Sequence, residues 1–401
     1  VGKAKDPRTG VTIDIGEVPR REQGMTPYEV MLSESQERML FVVKKGCEAR
    51  VQEVFQKWDL TSAIIGQVTH DGVIKVRDKH KQEACLPIQI LTNPPEYKLD
   101  AKLPEYISEV QNADLSKLPI TAKAPDAILL ELLESHNIAS KETVYQQYDH
   151  LVQTNTIVSP GGDAAVIRIR GGSESIALST DGNGRYCYLD PWHGGAIAVA
   201  EACRNLSCVG ASPIAITDCL NFGDPQSIEG YYQMEECIKG MAEACKKLKV
   251  PVISGNVSLF NESKGQAIYP TPVVGSLGVL SENTKPCTHG FKMDGDIVVL
   301  LGASTILGDP GFLGGSEFLD KVHNKVVGRP KIDLDLETRV QTVCREAISG
   351  NLLNSAHDCS EGGIAIALAE SCIANNIGFQ GEFEIRGRWD AAYSEKTNQE
   401  Y

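Results

Sequence analysis

The chain lacks the most familiar nucleotide- and metal-binding motifs. It has no Gly-Lys-Ser/Thr triplet and no G-x-G-x-x-G after a strand, so neither a P-loop nor a Rossmann dinucleotide site is indicated. None of its 12 cysteines forms a Cys-x-x-Cys pair, and its eight histidines do not cluster with the thiols, which argues against zinc. In a chain of this length we expect reduced, mostly buried thiols and no disulfide framework.

The chain also lacks an excess of positive charge and long apolar runs. Its formal net charge of −14 disfavours attraction to nucleic acid or to an anionic membrane. No run is long enough to span a bilayer, and residues 1–6 do not resemble a signal peptide, so we expect a cytoplasmic protein. Its 401 residues suffice for two or three domains. An acidic protein that handles phosphates must bind them locally, through Mg²⁺, backbone amides and a few basic side chains.

The most informative stretch that is present runs from Pro213 to Glu262. Two apolar, strand-like runs each end in small polar residues, and a long amphipathic segment separates them. Because ligands bind at strand ends in α/β folds, we predict that Asp218 and Asn256 converge there. Both offer hard oxygen ligands for Mg²⁺, and Gly255 allows backbone amides to approach a phosphate.

Three further polar clusters have two interpretations each. Residues 31–38 form either a capped turn or a row of groups that bind a polar substrate. Asp163, Asp181 and Asp190 stand beside glycines and prolines, so they either hold Mg²⁺ on a polyphosphate or form turns. Residues 357–363 place two glycines at a helix start, which suits either phosphate or close packing behind a Ser360 cap. A Cys359 nucleophile with His357 as base is disfavoured, because positions i and i+2 rarely converge.

The pattern of elements indicates mixed α/β and α+β domains. We predict a strand at 38–43, a helix at 47–58 and a hairpin that turns at Asp71-Gly72. A proline-rich extended connection with one short helix follows, and then an αβ unit that holds the stretch described above. A further unit starts with a strand at 296–302. We expect the chain to be cut at both ends.

Several motifs, taken together, resemble phosphoribosylformylglycinamidine synthase, the PurL family of the aminoimidazole ribonucleotide synthetase superfamily. The motifs that carry the resemblance are residues 25–39 (MTPYEVMLSESQERM), 181–186 (DGNGRY), 217–223 (TDCLNFG), 254–258 (SGNVS) and 356–363 (AHDCSEGG). They occur in the family's order, and the resemblance covers nearly the whole chain.

The resemblance implies a fold and a domain plan. Residues 1–96 would be part of a ferredoxin-like, C-terminal-type α+β domain of the family's first half, and 97–150 an extended linker with a short helix. Residues 151–290 would be the N-terminal-type αβ domain of the second half, which in the family forms half of a shared barrel. Residues 291–401 would begin the second C-terminal-type α+β domain.

The resemblance also implies an activity. The family uses ATP and Mg²⁺ to convert formylglycinamide ribonucleotide and ammonia into the amidine, through an iminophosphate. Ammonia comes from a glutaminase subunit (PurQ), often with a small bridging subunit (PurS). By resemblance, Asp218 and Gly255 contact ATP and Asn256 ligates Mg²⁺. The substrate-binding residues would be Glu34, Ser35, Gln36 and Ser258.

The resemblance assigns no catalytic residue to this chain, because the family's catalytic histidine lies in an N-terminal domain that is absent from these 401 residues. Asp163, Asp181 and Asp190 would serve an auxiliary nucleotide site or only structure. Two alternatives remain. One is a related superfamily enzyme such as selenophosphate synthetase, and the other is a non-catalytic scaffold within an amidotransferase assembly.

Overall fold

The computed structural model describes residues 8–20, 22–34, 38–93, 96, 99–119, 121–302 and 310–381. The chain divides into two compact units, Val1–Lys98 and Leu99–Tyr401.

The first unit is a small α+β fold. Its strands are β1 (Gly10–Asp14), β2 (Gly66–Thr69), β3 (Val73–Asp78) and β4 (Lys81–Pro87), and its α-helices are α1 (Pro27–Leu32), α2 (Glu48–Lys57) and α3 (Ile88–Thr92). The strand order is β2-β1-β3-β4, and β1 runs parallel to β3. A reciprocal capping box between Thr26 and Glu29 starts α1, which brings Val30 into a core with Ile15 and Val76.

Two predictions for this unit are wrong and one is confirmed. The helix at 47–58 is present as α2. The Asp71-Gly72 turn does not close a hairpin, because β1 lies between β2 and β3 and hydrogen-bonds to both. Residues 38–43 form no strand, and Met39, Leu40 and Val42 are exposed. A strand needs a neighbouring backbone to satisfy its N–H and C=O groups. The position beside β3 is occupied by β1, which the sequence analysis did not predict as a strand.

The connection after the first unit is more helical than we predicted. It contains α4 (Glu105–Gln111), α5 (Pro125–Leu133) and α6 (Glu142–Tyr145) where we expected one short helix. Side chains of α4 hold it to the rest of the second unit, because Tyr106 donates to the carbonyl of Tyr188 and Gln111 to that of Leu189. The prolines therefore begin helices rather than prevent them: Pro125 is the first residue of α5.

A six-stranded sheet with the order β5-β6-β7-β12-β8-β9 forms the centre of the second unit. Its strands are β5 (Thr156–Val158), β6 (Ala165–Arg168), β7 (Ser175–Asp181), β8 (Ser212–Asn221), β9 (Val252–Ser258) and β12 (Thr271–Leu280). A small hairpin, β10 (Glu262–Ser263) with β11 (Gln266–Ala267), follows β9. Neighbouring strands are antiparallel except β8 and β9, which are parallel.

Helices cover one face of this sheet. α7 (Gly184–Leu189) and α8 (Pro191–Cys208) follow β7, and α9 (Ile228–Leu248) connects the parallel strands β8 and β9. Burial alternates without interruption along β12, as expected for a strand with one covered face. Val274 packs with Ile216, Phe222 and Met241 in the larger core cluster. On the other face, Leu178 remains 42% exposed.

Three more helices complete the second unit: α10 (Glu317–His323), α11 (Leu334–Ser349) and α12 (Gly363–Asn375). The start of α12 agrees with the helix start expected at residues 357–363. The strand predicted at 296–302 is absent, and Ile297 is 86% exposed. All 12 cysteines are free thiols. Among the described helices, none is long and apolar enough to cross a membrane.

Candidate functional site

The predicted site lies where β8 and β9 run side by side. Both strands continue past the points at which we expected them to end, so Asp218, Gly255 and Asn256 lie within strands rather than in loops. The parallel ladder pairs Asp218 with Gly255, Cys219 with Asn256, and Asn221 with Ser258. Paired residues share a face and successive residues alternate, so the ladder decides which side chains meet.

Asp218 and Gly255 share the face that the helices cover. The carboxylate of Asp218 lies over Gly255, where a Cβ atom would collide with its Oδ1. Glycine is therefore required here by the close approach of a side chain. Burial raises the pKa of Asp218. On the neighbouring strand β12, Asp218 is paired with Val274, which belongs to the larger core cluster.

Asn256 and Ser258 share the opposite face of the sheet, because they pair with Cys219 and Asn221. The expected convergence of Asp218 and Asn256 is therefore wrong: the strands continue, and one residue of offset between the two positions turns their side chains to opposite faces. The structure brings together two pairs, Asp218 with Gly255 and Asn256 with Ser258.

The remaining residues that we expected to bind substrate lie in the first unit. Glu34 is exposed. It follows Ser33, the C-cap of α1, whose carbonyl oxygen accepts a hydrogen bond from Arg38 at 2.9 Å. Ser35 and Gln36 lie outside the described residues. Their assignment stays a prediction.

An acidic cluster lies beside α8 in the second unit, with Glu201 and Asp358 buried and its other members half-buried. It consists of four carboxylates with one amide and one guanidinium among them: Asp181, Glu201, Asp358, Glu361, Asn205 and Arg204. The amide of Asn205 donates to Asp181 at 3.1 Å, and Arg204 donates to Asp358 at 3.1 Å. Arg204 also pairs with Glu337 on α11 at 2.8 Å.

The cluster carries more negative charge than its one guanidinium can neutralise. Burial, followed by repulsion from Glu361 and Asp358, raises the pKa of Asp181 to about 7. Burial raises the pKa of Asp358 to about 6, and burial with repulsion from Asp181 raises that of Glu201. Oε1 of Glu201 is buried without a hydrogen-bond partner. Buried carboxylate oxygens that lack partners fit a hard divalent cation such as Mg²⁺.

Sequence analysis identified Asp181 and missed Glu201. A signal was available, because Glu201 and Asn205 are four residues apart in a helix that is otherwise rich in alanine and cysteine. That spacing places both side chains on one face, and a charged residue in a fully buried stretch is rare unless it has a partner or a ligand.

Because the pKa of Asp181 is raised, we expect the free energy of unfolding to depend on pH. When folding raises the pKa of a carboxyl group, the protonated group stabilises the folded state. This stabilisation is fully present below the pKa of the unfolded chain and is lost as the pH rises through the pKa of the folded protein. For Asp181 the window runs from 3.8 to about 7. In metal-free protein we expect the free energy of unfolding to fall by up to about 1.4 kcal/mol per pH unit across it.

The measurement is urea unfolding in chelator at pH 5 and pH 7.5. Asp181→Asn should flatten the pH dependence by about one proton equivalent. The matched control is Asp294→Asn, at an exposed aspartate, which should leave the slope unchanged. Equal pH dependence of the free energy of unfolding in the wild type and Asp181→Asn would contradict the prediction. If added Mg²⁺ stabilises the wild type more at pH 7.5 than at pH 5, that result would support a cation site.

Asp163 and His357 form an ion pair that borders the acidic cluster, because the backbone N–H of Asp358 donates to Asp163 at 3.2 Å. Nδ1 of His357 bonds Asp163 at 2.8 Å, and Nε2 bonds Glu370 on α12 at 2.9 Å. Burial alone would lower the pKa of His357, but the bonds to the two carboxylates outweigh it and raise the pKa to about 10. Although ligand atoms of Asp163, His357 and Asp358 lie within 4.8 Å of one another, an imidazolium already supplies the positive charge there. Neither ring nitrogen is left to activate Cys359.

Asp190 and the glycines before α12 have structural roles in this unit. Asp190 caps α8 through the backbone N–H of His193 at 3.1 Å and pairs with Arg329 at 2.8 Å, so its oxygens are occupied. Gly362, in the left-handed conformation at φ +84°, is the N-cap of α12, and Ser360 makes no side-chain cap there. Of the three aspartates that we expected to act together, Asp181 is the one that lies in the acidic cluster.

Comparison with known proteins identifies the class to which this fold and these clusters belong. The family model of the AIR synthase related protein N-terminal domain matches residues 161–280, which hold five of the six strands of the central sheet and the helices α7, α8 and α9. The model of the C-terminal domain of the same family matches residues 4–79 and 293–396. The chain therefore belongs to the AIR synthase related protein family. The domain boundaries at residues 96, 150 and 290 stay predictions.

Within this family the chain is similar to phosphoribosylformylglycinamidine synthase subunit PurL. It is 51% identical to the protein of that name from Moorella thermoacetica over 376 residues, which is 93% of this chain and 50% of the relative. The PurL subunit of Thermosynechococcus vestitus is 48% identical and is matched over 95% of this chain and 52% of the relative. The chain spans about half the length of the curated relatives that it matches.

Solved structures show the same likeness. Thermotoga maritima PurL complexed with ATP superposes with a TM-score of 0.59 at 25% identity, over 92% of this chain and 53% of that one. The complex of this protein with FGAR gives a TM-score of 0.56 at 28% identity, over 85% and 48%. The PurLQS structure from Thermotoga maritima gives 0.54 at 33% identity, over 69% and 43%.

Proposed function

We propose that the full-length protein containing these 401 residues is an ATP-dependent carbon–nitrogen ligase of purine biosynthesis. It converts formylglycinamide ribonucleotide and ammonia into formylglycinamidine ribonucleotide, with ADP and phosphate as the other products. A cytoplasmic glutaminase subunit with a small bridging subunit supplies the ammonia. The observation that carries this proposal is 51% identity over 93% of the chain to a protein named for this synthase.

We assign the reaction to positioning and charge neutralisation, which dominate catalysis of phosphoryl transfer. Mg²⁺ bound with ATP would supply positive charge that offsets the charge of the phosphates during phosphorylation of the formamide oxygen. Asn256 would ligate Mg²⁺ through its amide oxygen, and Ser258, on the same face of β9, would bind the substrate. Asp218 and Gly255 would contact ATP from the other face, and Glu34, Ser35 and Gln36 would bind the ribonucleotide.

The acidic cluster would be a second, auxiliary site for Mg²⁺ and nucleotide. Asp181, Glu201 and Asp358 are its candidate cation ligands, and the unpartnered Oε1 of Glu201 supports this assignment. A cation there would offset repulsion among the carboxylates, so it would stabilise the fold near neutral pH. Its role in this proposal is structural, because Asp181 lies on β7, and β12 separates it from the edge formed by β8 and β9.

The uncovered sheet face supports a shared barrel with another N-terminal-type domain. Leu178 on β7 is 42% exposed, and its partner Leu277 on β12 is only partly buried. An exposed apolar face of a sheet favours packing against a second sheet. By the family plan, that second sheet belongs to the half of the protein that these 401 residues do not include.

Turnover assays with purified protein test the proposed function. We expect the full-length protein, given Mg-ATP, formylglycinamide ribonucleotide and ammonium salt, to release phosphate and to form the amidine in equal amounts. The 401-residue chain alone should show little or no turnover, because the family's catalytic histidine lies outside it, and it would then act only as a scaffold. Phosphate release without amidine, or no response of the full-length protein to the ribonucleotide, would contradict the proposal.

A further inference from the structure

Asn261 joins the two chain segments that follow β8 and β9. Its Nδ2 lies 2.8 Å from the carbonyl oxygen of Ser258 and 3.1 Å from that of Phe222. The same amide contacts the hydroxyl of Ser258 twice, with Oγ 3.1 Å from Nδ2 and 3.2 Å from Oδ1. The side chain of Asn261 therefore contacts both the backbone and the hydroxyl of Ser258, the residue proposed to bind the substrate.

The hydrogen-bonding chemistry decides how this amide is oriented. Two carbonyl oxygens can only accept, so the NH₂ group of Asn261 must face Ser258 and Phe222. Its carbonyl oxygen Oδ1 then faces the hydroxyl of Ser258, where it can only accept the hydroxyl proton. The hydroxyl therefore donates to Oδ1 of Asn261. One of its lone pairs faces Nδ2 of Asn261 at 3.1 Å, and the other remains available for another donor.

We propose that Asn261 is a positioning residue that fixes the Ser258 hydroxyl as a hydrogen-bond acceptor toward the ribonucleotide. This inference rests on the proposed function and deepens it. A hydroxyl whose proton is already engaged selects an N–H or O–H group of its ligand, such as the amide N–H or a ribose hydroxyl. It does not select a phosphate oxygen. Asn261 thereby contributes to the recognition of the acyclic amide or the sugar without touching either.

The surrounding backbone makes the proposal testable, because the segment does not depend on the Asn261 side chain alone. The N–H of Phe260 donates to Gly223 at 2.9 Å, and the N–H of Asn261 donates to Phe222 at 3.1 Å. The N–H of Ile268 donates to the carbonyl of Asn261 at 3.2 Å. Truncating the side chain leaves these three bonds in place, so we expect the fold to survive.

A double-mutant cycle in the full-length protein tests the inference, with Ser258→Ala, Asn261→Ala and the double variant. We expect each single change to raise the KM for formylglycinamide ribonucleotide about tenfold, since the loss of one well-placed hydrogen bond is worth about 1.4 kcal/mol. The KM for ATP should change less than about twofold. The double variant should resemble the single variants, because Asn261 acts through Ser258.

Asn375→Ala is the matched control. Its amide also donates to a backbone carbonyl, that of Phe291 at 2.8 Å, but it lies on α12. It should leave both KM values unchanged, with or without Ser258→Ala. If Asn261→Ala lowers the melting temperature below the assay temperature, Asn261→Ser replaces it in the cycle and should show the same coupling to Ser258→Ala.

The outcomes separate this inference from the function on which it rests. Losses that multiply in the double variant, or a KM for ATP that rises as much as that for the ribonucleotide, would show that Asn261 has only a structural role. A wild-type protein that turns over no formylglycinamide ribonucleotide would overturn the proposed function and this inference together.

Discussion

Replacing Asn256 with alanine should reduce turnover by the full-length protein at least about 100-fold, because the loss of a ligand to the catalytic cation weakens stabilisation of transition-state charge. The side chain lies on an exposed edge strand, so its removal should leave the melting temperature nearly unchanged. The effect should fall mainly on kcat, and raising Mg²⁺ should recover part of the loss. Steady-state kinetics at several Mg²⁺ concentrations measure both effects.

Val257→Ala is the matched control for Asn256→Ala. Val257 is the next residue of β9, is 55% exposed, and points to the opposite face. It should retain wild-type kinetics. Equal activity in both variants would show that the amide of Asn256 does not serve the catalytic cation. Asp218→Ala, on the face shared with Val257, should impair turnover by raising the KM for ATP, which would separate the roles of the two faces.

Replacing Arg204 with methionine should lower the free energy of unfolding by about 3–5 kcal/mol at pH 7.5, the magnitude expected when one partner of a buried ion-pair network is removed. Arg204 is the guanidinium that faces Asp358 and Glu337, and Glu201 also lies close by. The loss should shrink toward pH 5, because protonation of Asp181 and Asp358 removes the charge that Arg204 neutralises. Urea unfolding at the two pH values provides the measurement.

Arg345→Met controls for the loss of a partly buried arginine. Arg345 lies on α11 and donates to the hydroxyls of Ser207 and Thr342 rather than to carboxylates. Its replacement should cost about 1 kcal/mol at both pH values. Equal losses for Arg204→Met and Arg345→Met at pH 7.5 would refute an electrostatic role for Arg204. Added Mg²⁺ should rescue only Arg204→Met, since only that variant leaves carboxylates without a cation.

Long periodic segments were predictable from the sequence, and short apolar runs were not. The amphipathic pattern identified the helices α2 and α9, because one apolar face repeated every 3.6 residues needs no knowledge of neighbours. Residues 38–43 and 296–302 have the same apolar composition as true strands. They form no strand, because a strand exists only where another strand supplies hydrogen-bond partners for its backbone. In the first unit, β1 lies between the two strands that we predicted to form a hairpin.

The sequence by itself determined the family, the residue types at the candidate site and the helices that carry them, since these depend on motif order and local periodicity. Tertiary structure alone decided which of those residues meet. The register between β8 and β9 separates Asp218 from Asn256, although both stand in matching motifs. Glu201, Asn205 and Asp358 come from distant parts of the chain to join Asp181 in one acidic cluster. Strand pairing and helix packing set such contacts over long sequence separations, and local sequence does not encode them.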